Sequence, residues 1–255
     1  MAASEPGTWK DRPVSRVMLR ALFLAALLFP QVMRAQQDAP KSAPKVEVIE
    51  TSDEGKQTPR VLGIIPNFRS VSVNTLLPPQ SPTEKFKGFA EDSFDYSSFA
   101  FVAILAGSSQ LQSSTPEFHS GASAFGRYYW HDLADQTDEN LWVEFLIPAA
   151  LHQDPRYYTL GRGSSAKHNG FAKRATYAFS RILMTRTDTG GSALNFSEIV
   201  GSGASSGISG LYYPSSDRTW TKTGQRWALN LGIDGASFAI KEFWPDINHA
   251  LFHTH

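Results

Sequence analysis

The stretch NFSEIVGSGASSGISGLYYP, residues 195–214, decides how the rest of the chain is read. Small residues recur in it at four-residue spacing: Gly203 with Gly207, and Ser202 with Ser206 and Gly210. On a helix this spacing lines them up as a flat face that lets another backbone come close. Each glycine costs a helix about 1 kcal/mol against alanine, so such a face forms only where packing compensates. The same letters contain G-x-S-x-G, Gly203 to Gly207, the nucleophile-elbow pattern centred on Ser205. An elbow needs a strand before the serine, a helix after it, and an acid and a histidine further on. Asp234 or Asp246, then His249, follow in that order, but only two apolar residues precede the glycines and no strand–helix alternation leads up to them. The dinucleotide fingerprint that GSGASSG approaches lacks its third glycine. The spacing therefore predicts a helix with a small-residue face.

Outward from that stretch, most segments carry helical signals. In SPTEKF, Ser81 can cap, Pro82 suits the first helical position and Glu84 completes a capping box. Phe86, Phe89, Ala90 and Phe94 follow at helical spacing, and SSFAFVAILAG after them is apolar nearly all round, which predicts burial. Further helical regions are expected over 116–135 and 140–151, with Pro148 as a kink. In GFAKRATYAFSRIL, Phe171, Ala175, Ala178, Phe179 and Ile182 fall on one face, with Lys173, Arg174 and Arg181 off it. Near the end, Trp227, Leu231 and Phe238 share a helical face that Pro245 is expected to terminate. The same segment alternates apolar and polar residues from Trp227 to Asp234, which is strand period and leaves a small outer-membrane β-barrel as an alternative. The predicted fold is an all-α, single-domain bundle of about five or six helices over 61–247, with 248–255 as a tail.

The first 35 residues read as a secretory signal. Arg12, Arg16 and Arg20 precede the apolar run Ala21 to Phe29, Pro30 breaks it, and Ala35 ends a cleavable VMRA. The run is too short to span a bilayer; retention as an N-terminal anchor is the alternative. Residues 36–60 are polar and proline-containing, which predicts a flexible linker. The extended segment VLGIIPNF, 61–68, is expected to dock on the domain. Beyond residue 35 the chain has 19 basic and 22 acidic side chains, a net −3, which is no footprint for nucleic acid. The absence of cysteine excludes thiol catalysis and leaves an exported protein without disulfides. Export also argues against ATP- or nicotinamide-dependent chemistry, and no cofactor is expected.

Candidate chemistry is sparse. LHQDPRYYTLGRG, 151–163, is expected to join two helices, with Asp154 as N-cap and Pro155 at the first position. His152 and Asp154 could act there as base and orienter, and Arg156 could brace the corner through Asp154 or Glu144. DTGGS, 188–192, resembles an aspartic-protease turn, but it is single and follows a polar TRT, so a helix-ending turn at Gly190 is expected. His249 and His253, four apart, are weak metal candidates in a C-terminal tail that also holds His255.

LHQDPRYY, TRTD (185–188), SEIVGSGASSGISGLYYP and IKEFWPDI, with RVLGIIPNF near the start, together resemble a family of uncharacterised bacterial exported proteins. The resemblance covers most of 61–247. Gly210 stands where that family's pattern has asparagine before its tyrosine pair. It implies that these motifs belong to one domain, and it implies no activity. The function expected is that of an envelope-associated structural protein whose partner is membrane lipid or another envelope protein. A hydrolase using Ser205 or the His152/Asp154 pair is the alternative.

Overall fold

The computed structural model describes residues 60–61, 65–66, 70–161 and 169–252. The expected signal, all of the expected linker but Arg60, and His253 lie outside these, as does the side chain of His249.

Helix dominates. α1 (Pro82–Ser93) starts at the capping box: Ser81 Oγ accepts from the Glu84 amide, and Glu84 Oε2 accepts from the Ser81 amide at 2.7 Å. α2 (Tyr96–Leu111) is capped by Asp95, whose Oδ1 accepts from the Ser97 amide at 2.8 Å. α3 (Ala122–Asn140) continues through a π-helical segment (Leu141–Leu146) into α4 (Ile147–Leu151). Pro148 has no amide to give the Glu144 carbonyl, and the widened turn just upstream absorbs the misfit without a break. α5 is Phe171–Ser180. A second π segment (Ser197–Gly201) leads into α6 (Ser202–Ser209), and α7 (Trp220–Phe252) is one long helix. The continuous helical runs among the described residues are thus 82–93, 96–111, 122–151, 171–180, 197–209 and 220–252, six runs, consistent with the expected bundle of about five or six.

The strands are short, and all but the first two sit at one corner. β1 (Arg60–Val61) pairs antiparallel with β2 (Ile65–Pro66). β3 (Ser70–Ser72) runs parallel to β5 (Tyr157–Thr159). β4 (Gln153–Asp154), β6 (Met184–Thr187) and β7 (Ser192–Leu194) form an antiparallel trio.

Several expectations are corrected here. Asp154 caps no helix: His152, left-handed at φ 53°, stops α4, and the chain enters β4. The next residues, Tyr157 to Thr159, are strand formers with a free edge at 70–72 to pair with. Gly190, at φ +84°, turns the β6–β7 hairpin and does not end a helix. Pro245 lies inside α7, and the alternating segment 227–234 is helical, not a strand.

The largest correction concerns which side faces out. In α2, expected to be buried, Val102 and Ala106 are enclosed, while Phe99, Phe101, Ile104 and Leu111 are exposed. On α5, Arg174 points in, and Phe171 and Phe179 lie against α7 with their outer sides open. Among the described residues, buried polar side chains outnumber buried apolar ones, 19 to 13, while 20 large apolar side chains are exposed. Soluble bundles show the opposite pattern. A small apolar core survives where Ala106, Phe118 and Tyr128 meet.

Candidate functional site

The sequence candidates His152, Asp154 and Arg156 lie at the strand corner. His152 is exposed, and its Nδ1 faces Asp188 Oδ2 at 3.8 Å, not Asp154. Both Asp154 oxygens are engaged. Oδ1 accepts from the Arg156 amide at 3.0 Å and Nε at 2.8 Å, and Oδ2 from Arg156 Nη2 at 2.8 Å and the Tyr158 hydroxyl at 2.7 Å. Arg156 also donates to the Pro78 carbonyl, and Arg186 lies 4.0 Å over the Tyr158 ring. A base needs a partner to orient it, and this histidine does not have Asp154 in that role.

The same corner gathers residues of LHQDPRYY, TRTD, the start of SEIVGSGASSGISGLYYP and IKEFWPDI. Lys85, buried, donates to the Pro148 and Gln153 carbonyls and to Asp188 at 2.8 Å. Gln153 Oε1 accepts from the Ser197 hydroxyl and amide, and its Nε2 donates to the Leu194 carbonyl. Glu242, fully buried, accepts from the Tyr157 hydroxyl at 3.0 Å and from Arg174 Nε at 2.8 Å. Every charge here has an opposite charge or several donors, which is what a buried structural network needs.

A second polar region lies inside the bundle, and sequence reasoning did not find it. Asp132, Asp135, Gln136 and Glu139 fall at offsets 0, 3, 4 and 7 on α3, the spacing of an inward apolar stripe, with Asp138 beside them. The two π segments pass close to one another: a Cβ on Gly201 would stand 3.0 Å from Val143 Cγ2 and 3.3 Å from the Trp142 carbonyl carbon. Each segment delivers a carboxyl, Glu144 from one and Glu198 from the other, and α7 adds Asp234. π-Helical turns recur at functional sites because they re-aim a side chain.

These carboxyls meet one another. Glu198 lies beside Asp234, Glu144 beside Asp92 of α1, and Asn230 beside Glu139. Burial raises Glu139 to about 8, with Asp234 adding to it, and raises Asp132 to about 7, with Asp135 adding. Burial also lifts Glu144, Glu198, Asp138 and Asp234. Shielded oxygens of Asp132, Asp138, Glu139, Glu198 and Asp234 find no donor among the described residues. Asp135 differs, because Ser209, Tyr212 and Tyr213 all donate to it, which accounts for the tyrosine pair of SGLYYP. Among the described residues, no three His, Asp or Glu side chains converge on a point that could hold a metal ion.

Ser205 sits in the middle of α6, 1% exposed, facing Asp138. It is on no strand-to-helix elbow, so the geometry that would activate it is missing. The close backbone approach falls just before the expected small-residue face: Gly201 of the π segment admits the Trp142–Val143 backbone, while Gly203 lies under the Trp227 ring. No protein-family model, curated protein or solved structure matches this chain.

Proposed function

We propose that this is an exported, envelope-associated protein with a structural role, and that its outer surface rests on membrane lipid. The observation that carries this reading is the apolar exterior. Large side chains such as Phe99, Phe101, Ile104 and Leu111 of α2, and Trp220 and Leu229 of α7, are exposed. Surface on that scale marks a partner or a lipid contact. The signal-like first 35 residues and the resemblance to bacterial exported proteins support the compartment. No helix among the described residues is long and apolar enough to cross a membrane, so the contact proposed is interfacial.

Trp130, Trp220 and Trp227 are exposed and report the contact directly. The full chain is floated with phosphatidylethanolamine–phosphatidylglycerol vesicles carrying brominated acyl chains. Co-flotation that survives high salt, together with quenched tryptophan emission, is expected. A chain that stays unquenched at the bottom of the gradient sinks the reading. So does a defined oligomer that shields the same tryptophans without vesicles, because a second copy would then cover this surface.

A further inference from the structure

We propose that Glu139, Glu198 and Asp234 form a proton-holding site that locks the helical bundle in mildly acidic surroundings and loosens it in alkaline ones. The inference is independent of the lipid reading, since it concerns the interior alone.

Three helical runs supply the trio: Glu139 from α3, Glu198 from the second π segment and Asp234 from α7. Glu198 is 3% exposed, and its carboxyl lies beside that of Asp234. Two carboxylates have only acceptors to offer each other, so the contact requires a proton on one of them. Among the described residues, Glu198 Oε1, Glu139 Oε1 and Asp234 Oδ2 find no donor, and Ser205 Oγ, also buried, has no hydrogen-bond partner. A bound proton turns one acceptor of the trio into a donor, which a buried polar pair needs.

The charged and titratable groups that face the trio are Asp135 and Asp138 of α3, Glu144 of the first π segment with its partner Asp92 of α1, and Lys241 of α7. α6 contributes serines to this side. One ammonium among these groups faces several carboxyls, so full ionisation would leave like charges together in a low-dielectric interior, which carboxyl pairs avoid by sharing a proton.

The sign follows from linkage. Burial raises Glu139 to about 8 and also raises Glu198 and Asp234. Between the ordinary carboxyl range and these raised values the folded chain holds protons that the unfolded chain has released. Stability is complete below the ordinary carboxyl range and is lost as pH climbs through the raised values.

The test unfolds the full chain in urea at pH values from about 5 to about 9, read by tryptophan fluorescence. An infrared spectrum of the folded chain at neutral pH is recorded alongside for the carbonyl stretch of a protonated carboxyl. The folding constant is expected to fall with pH, by up to about tenfold per pH unit for each proton held. The doubly neutral variant Glu198→Gln/Asp234→Asn should show a shallower fall and a weaker carboxyl band. A wild-type folding constant that is flat or rises over this range overturns the proposal, as does a folded spectrum without the band. Should the variant not fold, the wild-type slope and band decide alone.

Discussion

Glu242 and Glu198 are both carboxyls shut away from water, 0% and 3% exposed, yet their surroundings are opposite. Glu242 receives a guanidinium, a tyrosine hydroxyl and the Leu160 amide. Glu198 receives another carboxyl. The corner around β4 and β5 pairs charges with opposite charges and satisfies its acceptors. The bundle interior sets acid against acid with Lys241 as the nearby cation. A complete network fixes geometry, whereas an incomplete one makes stability depend on what else binds there, and a proton is the smallest such ligand. The corner is therefore the brace, and the interior, which takes Glu198 and the tyrosine pair from the motif stretches and its other acids from outside them, is the candidate site.

The difference is broken most severely at the brace. Arg174→Leu would leave Glu242 charged and enclosed without its guanidinium, and would release Asp246, bound at 2.6 Å. Removing one partner of a buried pair costs about 3–5 kcal/mol, and urea unfolding at neutral pH should register a loss of that order. Adding Glu242→Gln to the same chain removes the stranded charge and should recover much of the loss. A single variant that unfolds like the wild type would mean the brace is not one.

In the interior the same kind of change should act in the other direction. Burial, with Asp135 second, lifts Asp132 from 3.8 to about 7. Its folded-state proton is thus retained where the unfolded chain has lost it, and its share of stability disappears as pH rises through about 7. Asp132→Asn keeps the shape and removes the titration. The variant should match the wild type near pH 4 and exceed it above pH 8, by about 1–2 kcal/mol once screening at this half-buried position is allowed for. Equal urea midpoints at both ends of the range would show that Asp132 does not hold the proton.

Much of the brace's material was legible in the sequence, but not its form. Ser81, Pro82 and Glu84 announce α1 because a capping box is local chemistry. The glycine–serine spacing of 201–210 announces α6 because helical period is local too. LHQDPRYY misleads, because Asp-Pro is a good helix start in isolation and only the distant edges at 70–72 and 184–187 make the segment extended. The orientation of the helices was not legible. An apolar stripe and an acidic stripe share one period, and the expectation that charges stay off the packed face missed the burial of Arg174. Asp132, Asp135 and Glu139 already showed the inward spacing, in acids instead of leucines. That inversion was the available signal for the interior site.

Two glycines of the interior, Gly201 and Gly203, offer the finest discrimination. A helix gains about 1 kcal/mol when glycine becomes alanine, so each substitution begins with the same credit. At Gly203 the new methyl would meet the Trp227 ring at 3.4–3.5 Å, ordinary contact with a side chain whose far side is open. At Gly201 it would stand 3.0 Å from Val143 Cγ2 and 3.3 Å from both the Trp142 carbonyl carbon and the Val143 nitrogen. Those last two atoms are backbone inside the facing π segment and cannot step aside without moving Glu144. Gly203→Ala should therefore leave stability within about 0.5 kcal/mol of wild type or raise it, and Gly201→Ala should lower it by about 1 kcal/mol. Because Glu198 and Glu144 ride on the two segments that Gly201 holds together, Gly201→Ala should also flatten the dependence of urea stability on pH, and Gly203→Ala should not. Identical pH profiles for the two variants would detach the carboxyl pairing from the π–π crossing.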